Sequence, residues 1–282
     1  MSAPVVILGC GYLGNEVARL AVTSGARVIG TTRGGASLES APPGCTMHAA
    51  PVLTREIVGT LVPRGAKVLV AFPPDGSTDA AIAPALEGAR VVYVSTTGVY
   101  GGARGRVDES TIVDISDPRA ALRLAAERAY LDQGGAVLRP AGIYGPGRGL
   151  HRRLLDGTFR IPGDGTNVVS RVHVTDLARI ALALLDAETD AHRGAAFVVA
   201  DDAPVPQIEA IRWLCDRLRL PLPSAARIDE VAPTLRHDRA VDNGRVKRAL
   251  GLALRYPTYR EGFEACLAAE GISPPGSAAR PG

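Results

Sequence analysis

Six residues near the N-terminus, Gly9-Cys10-Gly11-Tyr12-Leu13-Gly14, have the spacing G-x-G-x-x-G. Placed between a strand and a helix, that spacing cradles a dinucleotide. Gly9 permits the tight turn. Gly11 lets a pyrophosphate approach the backbone at the helix N-terminus, and Gly14 lets helix and strand pack closely. Tyr12 and Leu13 complete the cofactor loop. About 20 residues on, where an NAD site usually places Asp or Glu on the ribose hydroxyls, the chain reads Thr31-Thr32-Arg33-Gly34-Gly35, and the next acid is Glu39. A carboxylate there would repel a 2′-phosphate, whereas Arg33 can clamp one bidentately. The site is read as NADP(H)-binding, in preference to NAD(H), with Thr32, Arg33, Phe72 and Pro73 along it. Cys10 lies inside the loop, where a small filler residue accounts for it better than redox chemistry, since no second cysteine is near in sequence. His48, His151, His173, His192 and His237 are scattered without ligand spacing, so no metal site is expected.

The elements needed to position such a loop are present. Pro4 to Gly9 is a short apolar run rich in β-branched residues, which reads as a buried parallel strand. Residues 13–24 carry Leu13, Val17, Leu20 and Ala21 at helical spacing, and Gly25 closes that helix. Further strands are expected over 27–32, 67–72, 90–95 and 136–139, with a weaker one over 46–50. Helices are expected over 54–62, 78–87 and 118–132. Such alternation makes βαβ units and hence a doubly wound parallel α/β sheet, the Rossmann arrangement, covered by helices on both faces. Past residue 146 the pattern breaks up. Helices are expected over 175–187, 204–219, 243–250 and 258–270, and a strand over 195–199. The resulting division has a nucleotide-binding domain of 1–145, to which 175–200 return. A smaller substrate-binding part comes from 146–174 and 201–272, and 273–282 form a disordered tail.

Several segments resemble the extended short-chain dehydrogenase/reductases, the epimerase/dehydratase group. They are Val94-Ser95-Thr96-Thr97-Gly98-Val99-Tyr100-Gly101, Leu138-Arg139-Pro140-Ala141-Gly142-Ile143-Tyr144-Gly145-Pro146-Gly147, Arg171-Val172-His173-Val174-Thr175-Asp176-Leu177-Ala178 and Phe197-Val198-Val199-Ala200-Asp201-Asp202. The run Leu254-Arg255-Tyr256-Pro257-Thr258-Tyr259-Arg260-Glu261-Gly262 looks like an atypical subgroup of that superfamily. The resemblance implies an active-site hydroxyl at Thr96, a nicotinamide cofactor passing Pro140, and a Y-x-x-x-K pair on the helix that follows. There the tyrosine is the acid/base and the lysine lowers its pKa and binds the nicotinamide ribose. Aligned on Ala126-Glu127, the tyrosine position holds Arg119 and the lysine position Arg123. Of 32 basic residues only Lys67 and Lys247 are lysines, and four residues before them stand Pro63 and Asn243, so the pair exists nowhere in the chain.

Arg123 can still bind a ribose or hold a positive field, but it cannot donate a proton. Tyr100, Tyr144, Tyr130 and His173 are the remaining candidates to protonate a substrate. Tyr100 is the best placed by spacing, and packing under the cofactor is as good an account of Tyr100 and Tyr144. His173, flanked by Val172 and Val174, reads more as a structural histidine, and Asp176 as the N-cap region of the helix that follows. Four functions stay open: an NADP(H)-dependent reductase of a C=N or C=O bond in a small metabolite, an epimerase or dehydratase with a substitute acid/base, a non-catalytic NADP(H)-binding sensor, and a cofactor-bound protein catalysing a redox-neutral step. An iminium carbon suits the missing pair best, because its own positive charge activates it.

Composition narrows the partners. The 282 residues are 46% hydrophobic and 22% charged, with a net charge of +3 and 4% aromatics, which argues against nucleic acid and anionic membranes. Four cysteines without a C-x-x-C pair, and no signal-like or transmembrane run, fit a reducing cytoplasm. The expected partner is a small-molecule substrate, in a monomer or a homodimer. Arg139, Arg148, Arg152, Arg153 and Arg171 fall in the presumed cleft segments, where an anionic group could meet them.

Overall fold

The computed structural model describes residues 3–34, 41–187 and 190–272. Glu39 and the 273–282 tail lie outside the described residues. Seven parallel strands form one sheet: β1 (Val5–Leu8), β2 (Val28–Thr32), β3 (Cys45–Ala49), β4 (Lys67–Val70), β5 (Arg90–Val94), β6 (Ala136–Pro140) and β7 (Ala196–Val199). Their spatial order is β7-β6-β5-β4-β1-β2-β3. Val6 pairs with Ile29 on one side and Val68 on the other, so β1 is central and both its neighbours run the same way. The strand order reverses at β1, and that reversal opens a crevice at the carboxyl ends of the strands.

Side-chain alternation along these strands feeds two separate cores. Ile7, Leu69, Val92 and Leu138 point to the face covered by α1 (Tyr12–Thr23) and α6 (Val174–Asp186), where Val17, Ala18, Leu177 and Ala181 meet them. Val6, Val68, Tyr93 and Val137 point to the other face, covered by α2 (Arg55–Leu61) and α4 (Pro118–Leu131), with Val58, Ala126 and Tyr130. The inner strands are thus buried on both sides, which is why they read as continuous apolar runs, whereas the edge strand β3, Cys45-Thr46-Met47-His48-Ala49, is largely exposed.

The helix expected over 78–87 is shorter. The α-helix α3 (Thr78–Ile82) gives way to a 3₁₀ turn over Ala83–Leu86, because Pro84 has no amide hydrogen and disfavours α geometry just before it. A third core, with Leu154, Phe159, Ile211, Leu214, Phe263 and Leu267, joins α5 (Leu150–Leu155), α7 (Gln207–Leu218) and α9 (Tyr259–Ala269). Helix α8 (Gly244–Leu250) packs on β7. Short strand pairs tie this part to the sheet domain, Gly142–Tyr144 with Arg171–His173 and Gly105–Val107 with Arg239–Val241. No helix among the described residues is long and apolar enough to cross a membrane.

Candidate cofactor and active site

The glycine loop is shaped by what its glycines leave out. Gly9 has φ +93°, a conformation that favours glycine, and a Cβ there would stand 2.8 Å from the Phe72 amide nitrogen. A Cβ on Gly14 would stand 2.9 Å from the Gly9 carbonyl oxygen, so only glycine lets α1 approach β1 this closely. Gly11 faces open space. The Gly9 amide donates to the Thr31 hydroxyl at 3.1 Å and the Cys10 amide to the Thr31 carbonyl at 2.7 Å, which fixes the loop against β2. These residues fit a dinucleotide. Gly11, which is exposed, leads into the N-terminus of a 12-residue helix that begins at Tyr12 and Leu13, where the helix dipole favours an anion. The Cys10 thiol is buried, bonded to Asn15 at 3.1 Å, and pushed up to about 12 by burial, so it fills the loop and holds no thiolate.

A cavity of about 470 Å³ opens beside the loop, lined by Gly9, Gly11, Thr32, Arg33, Phe72 and Asp75 among others. Arg33 is exposed at the end of β2 and makes no hydrogen bond or ion pair with a described residue. Phe72 and Pro73, which follow β4, form the opposite wall. Asp75 was not singled out in the sequence. Its carboxylate accepts from the Thr78 hydroxyl at 2.6 Å and from the Ser77 and Thr78 amides, bonds that hold it well below the usual carboxylate range. The signal for it was the Asp-x-Ser-Thr run, which closes such a turn at a helix start.

The turn after β5 carries the expected catalytic residues. Thr96 caps a 3₁₀ turn over Thr97–Tyr100, and its hydroxyl oxygen accepts from the Gly98 amide at 3.0 Å. It is half-buried at the carboxyl end of its strand. Tyr100 takes a different place from the cleft expected for it. The side chain is 1% exposed, and its hydroxyl accepts from Arg139 at 3.0 Å. Behind it Arg139 makes a bidentate pair with Glu127, at 3.0 and 2.6 Å, and the Ser95 hydroxyl donates to the same carboxylate. Burial raises the Tyr100 pKa, with Arg139 opposing it. Arg239 holds the turn from outside, donating to the carbonyls of Ala103 at 3.0 Å and Thr97 at 2.6 Å and also to that of Gly101. Neither the Glu127–Arg139 pair nor the role of Arg239 was anticipated from sequence, because spacing along the chain does not show which of these side chains meet in the fold.

Arg123 is half-buried in α4 and donates to the Tyr93 hydroxyl at 3.0 Å and the Val94 carbonyl at 3.3 Å, so it grips the end of β5. Tyr130, another candidate acid, is buried and donates to Asp79 at 2.8 Å. Pro140 is buried at the end of β6. Tyr144 also lies away from any open cleft. It is 3% exposed, its ring is 4.6 Å from Phe263, and its hydroxyl has no hydrogen-bond partner among the described residues. Burial raises its pKa.

His173 has a structural place, as its flanking valines implied. It caps α6 by accepting from the Thr175 amide at 3.2 Å, and burial lowers its pKa to about 4. Asp176 corrects an expectation. The cap is His173, and Asp176, one turn in, accepts from the Arg255 and Tyr256 amides at 2.7 and 2.8 Å, anchoring the C-terminal run. Among the described residues no cluster of His, Cys, Asp and Glu could hold a metal.

Comparison with known proteins places this geometry. The sequence model described as the NAD dependent epimerase/dehydratase family matches residues 78–200. A functionally unknown conserved protein from Silicibacter pomeroyi is 32% identical, superposes with a TM-score of 0.81, and is covered over 99% of its chain by 95% of this one. A 3-diazoavenalumate denitrifying reductase from a Streptomyces species is 31% identical over 176 residues, 55% of this chain and 57% of the relative. Short-chain dehydrogenase/reductase family 42E member 1 of Danio rerio is 36% identical over 103 residues, 30% of this chain and 27% of the relative. The alignments thus span little more than half the length of the first of these curated relatives and about a quarter of the second.

Proposed function

This chain belongs to the NAD-dependent epimerase/dehydratase family, in the extended short-chain dehydrogenase/reductase superfamily, and from that premise we propose that it is an NADP(H)-dependent reductase of a C=N or C=O bond in a small organic metabolite. The observation that carries the cofactor choice is the end of β2. Arg33 lines the cleft with a guanidinium that no described residue engages, and Thr31-Thr32-Arg33-Gly34 offers no carboxylate to a ribose. A planar guanidinium suits a 2′-phosphate.

The nicotinamide, when bound, supplies a hydride with its electron pair. The chain's own part is to bind, orient and stabilise. Thr96 keeps its hydroxyl hydrogen free to donate to a substrate heteroatom, since its oxygen already accepts from Gly98. Arg123 fixes the end of β5 through the Val94 carbonyl and adds positive charge there, but no proton. Tyr100, Tyr130 and Tyr144 are buried, so none offers an open acid. An iminium carbon arrives already activated and needs none, which favours C=N as the accepting bond. The Streptomyces relative, named as a reductase, points the same way.

Purified protein incubated with NADPH and a panel of cyclic imines and ketones is expected to oxidise NADPH, faster than NADH, with at least one imine. Bound NADPH that persists beside every acceptor overturns the reductase reading and favours a sensor. Equal use of NADH overturns the cofactor choice.

A further inference from the structure

Five arginines fall in the segments around the cleft, and the structure sorts them. Arg139 is paired with Glu127, Arg152 with Glu270 and Asp156, Arg153 stacks over Phe159, and Arg171 is buried with its guanidinium on the Val169 carbonyl. Arg148 alone of the five is exposed with a guanidinium that makes no hydrogen bond or ion pair with a described residue. It stands over the ring of Tyr12, 5.2 Å from its centroid. Tyr12 is the first residue of α1 and a member of the glycine loop.

The loop that carries Arg148 is held at three points. Gly145 and Arg148 exchange backbone hydrogen bonds of 2.9 and 3.0 Å. The Tyr12 hydroxyl donates to the Pro146 carbonyl at 3.0 Å, across the gap between the two parts of the molecule. The Gly147 amide donates to Glu270 of α9 at 2.8 Å. Gly145 permits the approach, since a Cβ there would stand 2.5 Å from the Tyr12 hydroxyl. The nearby acids are engaged elsewhere. Glu270 takes His151 at 2.7 Å and Arg152 at 3.2 Å, and Glu16 takes Arg19 and the Thr175 hydroxyl. The result is a guanidinium beside the positive end of a helix, with no carboxylate among the described residues claiming it.

We propose that Arg148 is a clamp on the diphosphate of the bound dinucleotide, reaching from the covering part over Tyr12 to the phosphates that the glycine loop cradles. This rests on dinucleotide binding but not on the choice of NADP(H). A planar, weakly hydrated guanidinium can slide off an aromatic face onto phosphate oxygens, exchanging a cation–π contact for charge-assisted hydrogen bonds. The same chemistry would serve an anionic substrate group, and the experiment separates the two.

The test uses Arg148→Ala and Arg148→Lys in the full chain, with NADPH, NADH and ADP-ribose binding measured by calorimetry. Arg148→Ala is expected to weaken all three about tenfold, because all three carry the diphosphate. Arg148→Lys should recover part of that loss, and the ligand-free melting temperature should stay as in the parent because the side chain is exposed. Arg33→Ala, by contrast, should weaken NADPH alone. Unchanged dissociation constants in Arg148→Ala overturn the proposal. So does a rise in the KM of an anionic acceptor while the cofactor constants hold, which would assign Arg148 to the substrate. A parent protein that binds NADH as tightly as NADPH removes the 2′-phosphate reading and leaves the Arg148 test intact through NADH and ADP-ribose. If none of the three ligands binds the parent, both readings fall.

Discussion

At the glycine loop the chain removes side chains and leaves backbone exposed. At the turn after β5 it does the reverse, turning polar side chains inward until they satisfy one another. Gly9 and Gly14 let the loop close tightly on Phe72 and β1, and Gly11 leaves open space for a ligand that the protein does not itself supply. Ser95, Tyr100, Glu127 and Arg139 instead complete a network with one another, nearly out of contact with solvent. Recognition of the dinucleotide is thus built on absence, and the neighbourhood of the chemistry on internal pairing. A residue of the second kind cannot also serve as an open acid, since it is buried away from the cleft.

The largest effect expected from this difference is in the network. Glu127→Ala leaves Arg139 buried without its carboxylate, which should cost about 3–5 kcal/mol in denaturant unfolding with the slope unchanged. The NADPH dissociation constant of the folded variant should change little. Parental stability in that variant would mean that the pair is not the keystone of the turn. The opposite signature is expected in the loop. Gly9→Ala forces a side chain into positive φ and against Phe72, for a stability loss of about 1–3 kcal/mol. Its larger consequence should be a loss of dinucleotide affinity of about tenfold or more, since the loop must shift. If affinity survives while stability falls, the cradle is less strict than its geometry implies.

The same contrast decided what could be read from sequence. The glycine spacing was legible because the requirement is local, with three positions and no side chains, placed between an apolar run and a helical pattern. The sheet was legible because strands buried on both faces show as Val-Val-Ile-Leu or Val-Leu-Val. Tyr100 was not legible in its true role. Its spacing from Thr96 is what the resemblance implies, but the 3₁₀ turn over Thr97–Tyr100 rotates the ring beneath the strand end, toward Arg139. That partner lies 39 residues away. Asp176 failed similarly. It sits where a helix cap could, but His173 starts the helix one turn earlier, and the amides Asp176 serves belong to Arg255 and Tyr256. The strand pairs of two or three residues outside the main sheet have no periodicity to detect, since two residues cannot alternate.

Inward pairing is incomplete at Asp201, which gives a pH-dependent prediction. It is 2% exposed. One carboxylate oxygen accepts from the Ala203 amide at 3.2 Å and the other has no partner among the described residues. Burial raises its pKa from 3.8 to about 7, with the Arg171 charge opposing. The folded-state value is raised, so the folded protein binds the proton more tightly than the unfolded chain. Stability from this group is present at acid pH and lost as pH climbs through about 7. Asp201→Asn should therefore exceed the parent by about 1–2 kcal/mol above pH 7, with the difference fading toward pH 4. His173, whose folded pKa is lowered to about 4, loses stability in the opposite direction, as pH falls from 6.5. It does so in both proteins, so the difference between their curves isolates Asp201. A difference that does not vary with pH would show that Asp201 is ionised and paired throughout.

The smallest effect is the most discriminating for mechanism. Tyr100→Phe removes one hydrogen bond, from Arg139 to the phenol oxygen, while the ring keeps its place among Val99, Val107 and Ala141. Arg139 retains Glu127 on its other nitrogens, so the stability loss should be about 0.5–1 kcal/mol. An open general acid at this position would contribute a hundredfold or more to turnover, on the scale of about 10²–10⁴ typical of such groups. A tyrosine bonded into the core contributes only through the turn it supports, so NADPH oxidation with the best imine should stay within about threefold of the parent, well short of that scale. A hundredfold loss in a stably folded variant would mean that the turn opens during the reaction and brings Tyr100 to the substrate, and the separation drawn between the exposed cradle and the sealed network would hold only for the resting protein.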